Sequence, residues 1–220
     1  DSCSLIDQSE AVHMILENYD DFMPFMSEEF SINPKISVVE SFIPFFNRLR
    51  DELVNIDKVD QTILKEFYED DVESFNQLND LLRIFPIYQN LKIENNLIDY
   101  NDMILDTFHS LKNDTRLLEK VQLKYEHLII DEFQDNNYAL NEISRLISKK
   151  NRSITVVGDD DQVIYSFRGA NAFNISTFEK TYKSHPNYEM ITLETNYRSS
   201  QPILDLANNS IKHNKERKVK

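Results

Sequence analysis

Two stretches constrain this chain more than any others. They are Ile129-Ile130-Asp131-Glu132-Phe133-Gln134-Asp135 and Val156-Val157-Gly158-Asp159-Asp160-Asp161-Gln162. Each is an apolar run that breaks into acid and amide residues. A buried strand looks this way when it carries carboxylates to the edge of a parallel sheet. In an open α/β sheet the ligand sits beyond the carboxyl ends of the strands. Two neighbouring strands ending in acid and amide groups can hold a metal ion and a water beside a phosphate. The bare pattern describes a strand followed by a helix cap equally well, and short strings of this kind carry a real false-positive rate.

The rest of the chain is organised around these stretches. Up to residue 125 it reads as helical, with apolar residues at helical spacing in Ser9–Tyr19, Ile36–Val54, Gln61–Ile84 and Asp99–Leu111. Pro24, Pro34 and Pro86 are expected to punctuate these helices. Asp114 is expected to cap a helix over Leu117–Leu123. The texture changes at Tyr125. His127–Ile130, Ser153–Val157 and Glu189–Leu193 read as strands, and Tyr138–Ser148, Ala172–Tyr182 and Ser200–Ile211 as helices. Strands alternating with helices predict an α/β fold with parallel βαβ units. Only two glycines occur, Gly158 and Gly169, both near the second stretch. Elsewhere the chain must turn on Asn, Asp, Pro and Ser.

Charge and cysteine content narrow the classes. The net charge of −14 lies in the first hundred residues, which hold 7 Lys/Arg against 21 Asp/Glu, while residues 101–220 hold 17 of each. Such acidity argues against a protein that coats duplex DNA by electrostatics alone, but leaves room for a local groove for single strands. The acidic faces read as solvated helix surfaces. Cys3 is the only cysteine, so no internal disulfide forms and a reducing compartment is expected. No apolar run is long enough to span a bilayer. The chain begins at Asp1 rather than Met, as expected of a segment of something longer.

The residue types suggest particular chemistry. Asp131 at a strand end can hold Mg²⁺, which favours one or two carboxylates plus phosphate oxygens and waters. The adjacent Glu132 can orient and deprotonate an attacking water. Gln162 can touch a phosphate and that water, or be a polar turn residue. Asp159, Asp160 and Asp161 cannot all be buried unpaired, so some should cap the following turn. Tyr165, Phe167 and Arg168 form an aromatic and basic cluster suited to stacking on nucleobases; core packing of Phe167 weighs about equally. In Asn196-Tyr197-Arg198-Ser199-Ser200, Arg198 can act on charge developing during phosphoryl transfer and Tyr197 can stack on adenine. A helix cap at Ser199 or Ser200, with Arg198 paired to a surface acid, fits the same residues.

Taken together, three strings resemble the UvrD/Rep/PcrA family of superfamily 1 DNA helicases. They are Asp131-Glu132-Phe133-Gln134-Asp135, the run from Val157 to Ala170, and Leu193-Glu194-Thr195-Asn196-Tyr197-Arg198-Ser199-Ser200. Asp99-Tyr100-Asn101-Asp102 looks like an acidic and aromatic string that the family carries upstream. The resemblance implies a partial RecA-like parallel sheet with helices, plus a mainly helical insertion of the 1B type. It implies residues 1–125 as that insertion, 126–194 as the second half of the first RecA-like domain, and 195–220 as the opening of the second. Asp131 would hold Mg²⁺, Glu132 would be the general base, and Gln162 would couple the γ-phosphate to DNA. Tyr165, Phe167 and Arg168 would line the DNA track, and Tyr197 and Arg198 would complete the ATP site. The implied cofactors are ATP and Mg²⁺. The implied partners are single-stranded DNA and single/double-strand junctions, with a protein partner open to the acidic helical half. The implied setting is the nucleoid in the cytoplasm.

The sequence also departs from that family. It contains no Gly-x-x-x-x-Gly-Lys-Ser/Thr phosphate loop, so this chain alone is expected not to turn over ATP at a useful rate. Thr107-Phe108-His109-Ser110 looks like a DNA-contacting string but falls where an ordinary helix is expected. Two other readings stand beside the helicase: a non-enzymatic helical docking module, and a degenerate relative that has lost its ATP site.

Overall fold

The computed structural model describes residues 3–150, 153–162 and 174–211. The chain opens with β1 (Ser4–Leu5) and then runs through helices α1 (Gln8–Glu17), α2 (Tyr19–Phe22), α3 (Glu28–Ile32), α4 (Lys35–Asp51), α5 (Gln61–Phe67) and α6 (Val72–Glu94). After β2 (Leu97–Ile98) come α7 (Tyr100–Asn113), α8 (Thr115–Lys124), β3 (Leu128–Ile130), α9 (Tyr138–Ser148), β4 (Ile154–Val156), α10 (Asn174–Tyr182) and α11 (Gln201–Ile211). The described chain is thus mostly helical with two small parallel sheets. β1 pairs with β2, and β3 pairs with β4 in the register Leu128↔Ile154, Ile129↔Thr155, Ile130↔Val156.

With glycine nearly absent, acid and amide side chains start the helices. Asp7 and Glu10 form a reciprocal capping box on α1, Asp114 accepts from the Arg116 and Leu117 amides as expected, and Asn137 caps α9. Some of the acidity does more than solvate helix faces. Asp80, fully buried on α6, accepts from the Met26 and Ser27 amides at 2.8 and 2.9 Å, and Glu73 accepts from Ser27 Oγ and the Glu28 and Glu29 amides. Two acids on α6 thereby cap α3 across space. Among the described residues other than glycine, the left-handed backbone positions fall on Leu53, Asn96 and Glu132, with φ of 51°, 53° and 49°. A bulky or long side chain there carries a steric cost that asparagine escapes more easily.

The helical half packs around one core, in which Ile15, Phe22, Val39, Phe42, Phe46 and Ile84 are wholly buried or nearly so. Phe42 meets Phe30 edge-on at 5.3 Å, and Phe46 stacks on Tyr88 at 5.0 Å. This packing corrects the reading of Pro86 as a breaker. Pro86 lies inside the unbroken α6. A proline in a helix interior costs about 3 kcal/mol, but Ile84, Tyr88 and Leu91 are buried on either side of it. Burying side chains of that size stabilises by ~1.5–3 kcal/mol each. The expected helix Gln61–Ile84 is instead two, because the turn after Phe67 hands over to Asp71, which accepts from the Ser74 amide and starts α6.

The third expected strand, Glu189–Leu193, is not one. Residues 188–196 belong to no helix or strand among the described residues, and Leu193 is 84% exposed. Strand structure needs a neighbour for its N–H and C=O groups, and neither described sheet includes this run. β1 and β2 show that residues 1–125 are not purely helical. No helix of the described residues is long and apolar enough to cross a membrane.

Candidate functional site at the β3 and β4 ends

Parallel pairing brings the two acid-bearing stretches to the same end of one sheet. The ladder continues past the strands: the Val157 amide donates to Ile130 O at 2.8 Å, and the Phe133 amide to Val157 O at 2.9 Å. Beyond β3, Asp131 is exposed, and its Oδ1 accepts from the Glu132 amide at 2.9 Å. Glu132 takes the left-handed turn and Phe133–Asp135 forms a single 3-10 turn. Phe133 is buried, meeting Phe178 of α10 edge-on at 5.5 Å. The apolar ring anchors the loop while the carboxylates before it face outward.

Asn174, buried at the start of α10, holds this loop from behind. Its Nδ2 donates to Asn136 O at 2.7 Å, with longer bonds to Phe133 O at 3.3 Å and Gln134 O at 3.4 Å. Asn141 in turn donates to Asn174 Oδ1 at 3.0 Å. Beyond β4, Asp159 caps the turn Asp160–Gln162: Oδ1 accepts from the Asp161 amide at 2.9 Å, and Oδ2 from Gln162 Nε2 at 2.9 Å. The expectation that one of the three aspartates caps that turn is met by Asp159. Their carboxylates can bring one oxygen each within 4.8 Å of one another.

Asp131, Glu132 and Gln162 therefore share one sheet end. Among the described residues no cation pairs with Asp131 or Glu132. The exposed, hard oxygen donor at Asp131 suits Mg²⁺. Tyr197 is 94% exposed, and Asn196 Oδ1 accepts from the Arg198 and Ser199 amides in a tight turn before α11. Among the described residues, no hydrogen bond or ion pair joins the side chains of Tyr197 or Arg198 to Asp131, Glu132 or Gln162. Tyr165, Phe167 and Arg168 lie outside the described residues.

The Asp99-Tyr100-Asn101-Asp102 string has a structural job that its sequence hid. Asp99 and Asp102 form a reciprocal capping box at the start of α7. The same two carboxylates meet the nearly inaccessible Arg50 and Lys92: Arg50 Nη1 lies 2.7 Å from Asp99 Oδ2 and from Asp102 Oδ1, and Lys92 Nζ lies 2.9 Å from Asp99 Oδ2. Tyr88 donates to Asp99 at 3.0 Å. Burial pushes the Asp99 carboxyl up, but Arg50 and Lys92 outweigh it and hold the group far below the usual carboxylate range. The decoy residue Phe108 is buried on α7, as an ordinary helix residue would be.

Next to this cluster, Asp51 links the helical half to the candidate site. Its Oδ1 accepts from Asn101 Nδ2 at 2.9 Å and from Asn137 Nδ2 at 2.6 Å, the latter directly downstream of the Phe133–Asp135 turn. Burial raises its carboxyl to about 6, against the lowering pull of Arg50. A carboxyl raised on folding contributes stability that is complete below its unfolded value near 3.8 and is lost as pH climbs through about 6. Asp51→Asn retains the Oδ1 acceptor without the charge. Its urea-unfolding free energy is expected to match wild type near pH 4 and to exceed it by about 2 kcal/mol above pH 7. Parallel curves for the two proteins from pH 4 to 7.5 would remove this assignment.

The model of the UvrD/REP helicase N-terminal domain matches residues 2–183. Proteins described as ATP-dependent DNA helicase PcrA from Staphylococcus epidermidis and Staphylococcus aureus are each 40% identical over 137 residues, covering 62% of this chain and 18% of theirs. The chain thus spans less than a fifth of the length of the curated relatives it matches.

Proposed function

The chain belongs to the UvrD/REP helicase family, and from that premise we propose that it is part of an ATP-dependent DNA helicase or translocase that moves 3′ to 5′ on single-stranded DNA. The observation that carries this reading is the parallel β3–β4 pair, with Asp131 and Glu132 at one strand end and Gln162 just past the neighbouring one. On this reading residues 1–125 form a 1B-type helical insertion, 126–194 complete a RecA-like domain, and 195–220 open a second. Asp131 holds Mg²⁺, which when bound supplies neutralising charge at the phosphates. Glu132 takes the proton of the attacking water. Gln162 senses the γ-phosphate, and Tyr197 and Arg198 approach the nucleotide from the following domain. Tyr165, Phe167 and Arg168 contact single-stranded DNA and its junctions. The protein works in the cytoplasm, where its DNA and ATP are found.

No string in this chain cradles the β- and γ-phosphates, so the chain by itself binds ATP weakly and does not turn it over. ATP hydrolysis should be measured with and without single-stranded DNA, for this chain and for a version that includes the upstream region of its own gene. DNA-stimulated turnover by the longer protein alone is the expected result. Robust turnover by the short chain, or silence and no nucleotide binding in both, would overturn the reading.

A further inference from the structure

Gln134 carries out none of the roles above, yet it is 2% exposed and both ends of its amide are used. Nε2 donates to Glu132 Oε2 at 2.8 Å, and Oε1 accepts from the Asp159 amide at 3.0 Å. Asp159 also accepts from Gln162. Glycine at 158 makes room for this bridge: a Cβ there would lie 2.5 Å from Gln134 Oε1 and 3.3 Å from the Phe133 nitrogen. The loop beneath the amide is held by Asn174. Glu132 Oε1, the oxygen that Gln134 leaves, takes no partner among the described residues.

We propose that Gln134 is a positioning residue for the Glu132 carboxylate. It fixes one carboxylate oxygen and leaves the other for water. It also ties that orientation through Asp159 to Gln162, so the base and the phosphate sensor move as one hydrogen-bonded unit. An exposed glutamate otherwise samples many rotamers, and misplacing a reacting group by about 1 Å can cost on the order of a hundredfold in rate. The inference rests on the reading of Glu132 as general base.

The test is ATP turnover by the full-length product of this gene carrying Gln134→Glu or Gln134→Leu, with Glu132→Gln as reference. Gln134→Glu keeps the volume and the acceptor for the Asp159 amide, and so keeps the bridge between strands. It replaces the donor to Glu132 with a carboxyl group, which repels the Glu132 carboxylate instead of holding it. Both variants are expected to lower kcat at least tenfold with KM for ATP within about twofold of wild type. If Gln134→Leu does not fold, Gln134→Glu decides, its fold checked by thermal melting. Wild-type kcat in folded Gln134→Glu, or a KM that rises in step with the fall in kcat, would overturn the proposal and leave Glu132 as base. Full turnover by Glu132→Gln would overturn both readings.

Discussion

Glu132→Gln, made in a polypeptide that joins this chain to its upstream region, is expected to lower kcat for ATP by about 10²–10⁴-fold, the range for loss of a positioned general base. The substitution keeps the side-chain shape and an oxygen to accept from Gln134 Nε2. It removes only the capacity to take a proton. Asp131, whose Oδ1 is held by the backbone amide of residue 132 rather than by its side chain, stays in place, so nucleotide affinity should change little. The diagnostic is therefore a fall in kcat with KM for ATP held. Turnover within about threefold of wild type would mean that another group accepts the proton and that the Asp131–Glu132 pair has been misread.

Asp99→Ala is expected to cost about 3–5 kcal/mol of unfolding free energy, the range for stranding a buried charge. Arg50 and Lys92 are 3% and 2% exposed and share Asp99 and Asp102 between them. Removing one carboxylate leaves two buried cations facing one anion. It also takes away the α7 cap, worth ~1 kcal/mol, and the acceptor of the Tyr88 hydroxyl. For a domain of this size the midpoint of thermal unfolding should drop on the order of 10 °C. Because the Asp99 carboxyl is held far below its usual range, its contribution is present above the unfolded value near 3.8 and is lost as pH falls below it. The gap between wild type and variant should therefore narrow in acid. Arg48→Ala, which breaks a solvent-exposed pair with Glu52, supplies the contrast and should cost under about 1 kcal/mol. A loss below about 1 kcal/mol for Asp99→Ala as well would show that the cluster is as weak as that surface pair.

Much of the candidate site was legible because it is local. An apolar run followed at once by Asp131-Glu132, or by Gly158-Asp159, reports a strand and what sits at its end. Strand pairing then needs only the parallel rule to put the two ends together. The helix start at Asp114 was legible for the same reason, since a cap reaches two or three residues along its own chain. Gln134 was visible as a letter in a recognised string but not as a bridge, because its second partner, the Asp159 amide, is 25 residues away. The scarcity of glycine was the available hint: one of only two glycines in the chain sits where a side chain would strike the Gln134 side-chain oxygen. Asn174 and Asp51 gave no signal in sequence, because a lone Asn or Asp looks the same whether it caps a helix or holds a loop 38 or 86 residues away.

The sequence alone determined the alternation of helix and strand after residue 125, the acid and amide groups at two strand ends, and the absence from this chain of a phosphate loop. Those properties depend on residue type and on spacings of a few residues. The tertiary structure decided what depends on burial. It kept α6 continuous through Pro86, because Ile84, Tyr88 and Leu91 are packed around that position. It placed Glu189–Leu193 in none of the described strands, because the hydrogen-bonding partners a strand needs come from elsewhere in the chain. It turned Asp99 and Asp102 from a surface-looking string into the counter-charges of two buried cations. Charge and apolarity are written in the sequence, but their energies depend on whether water or another side chain is the neighbour, and that is settled only when distant segments meet.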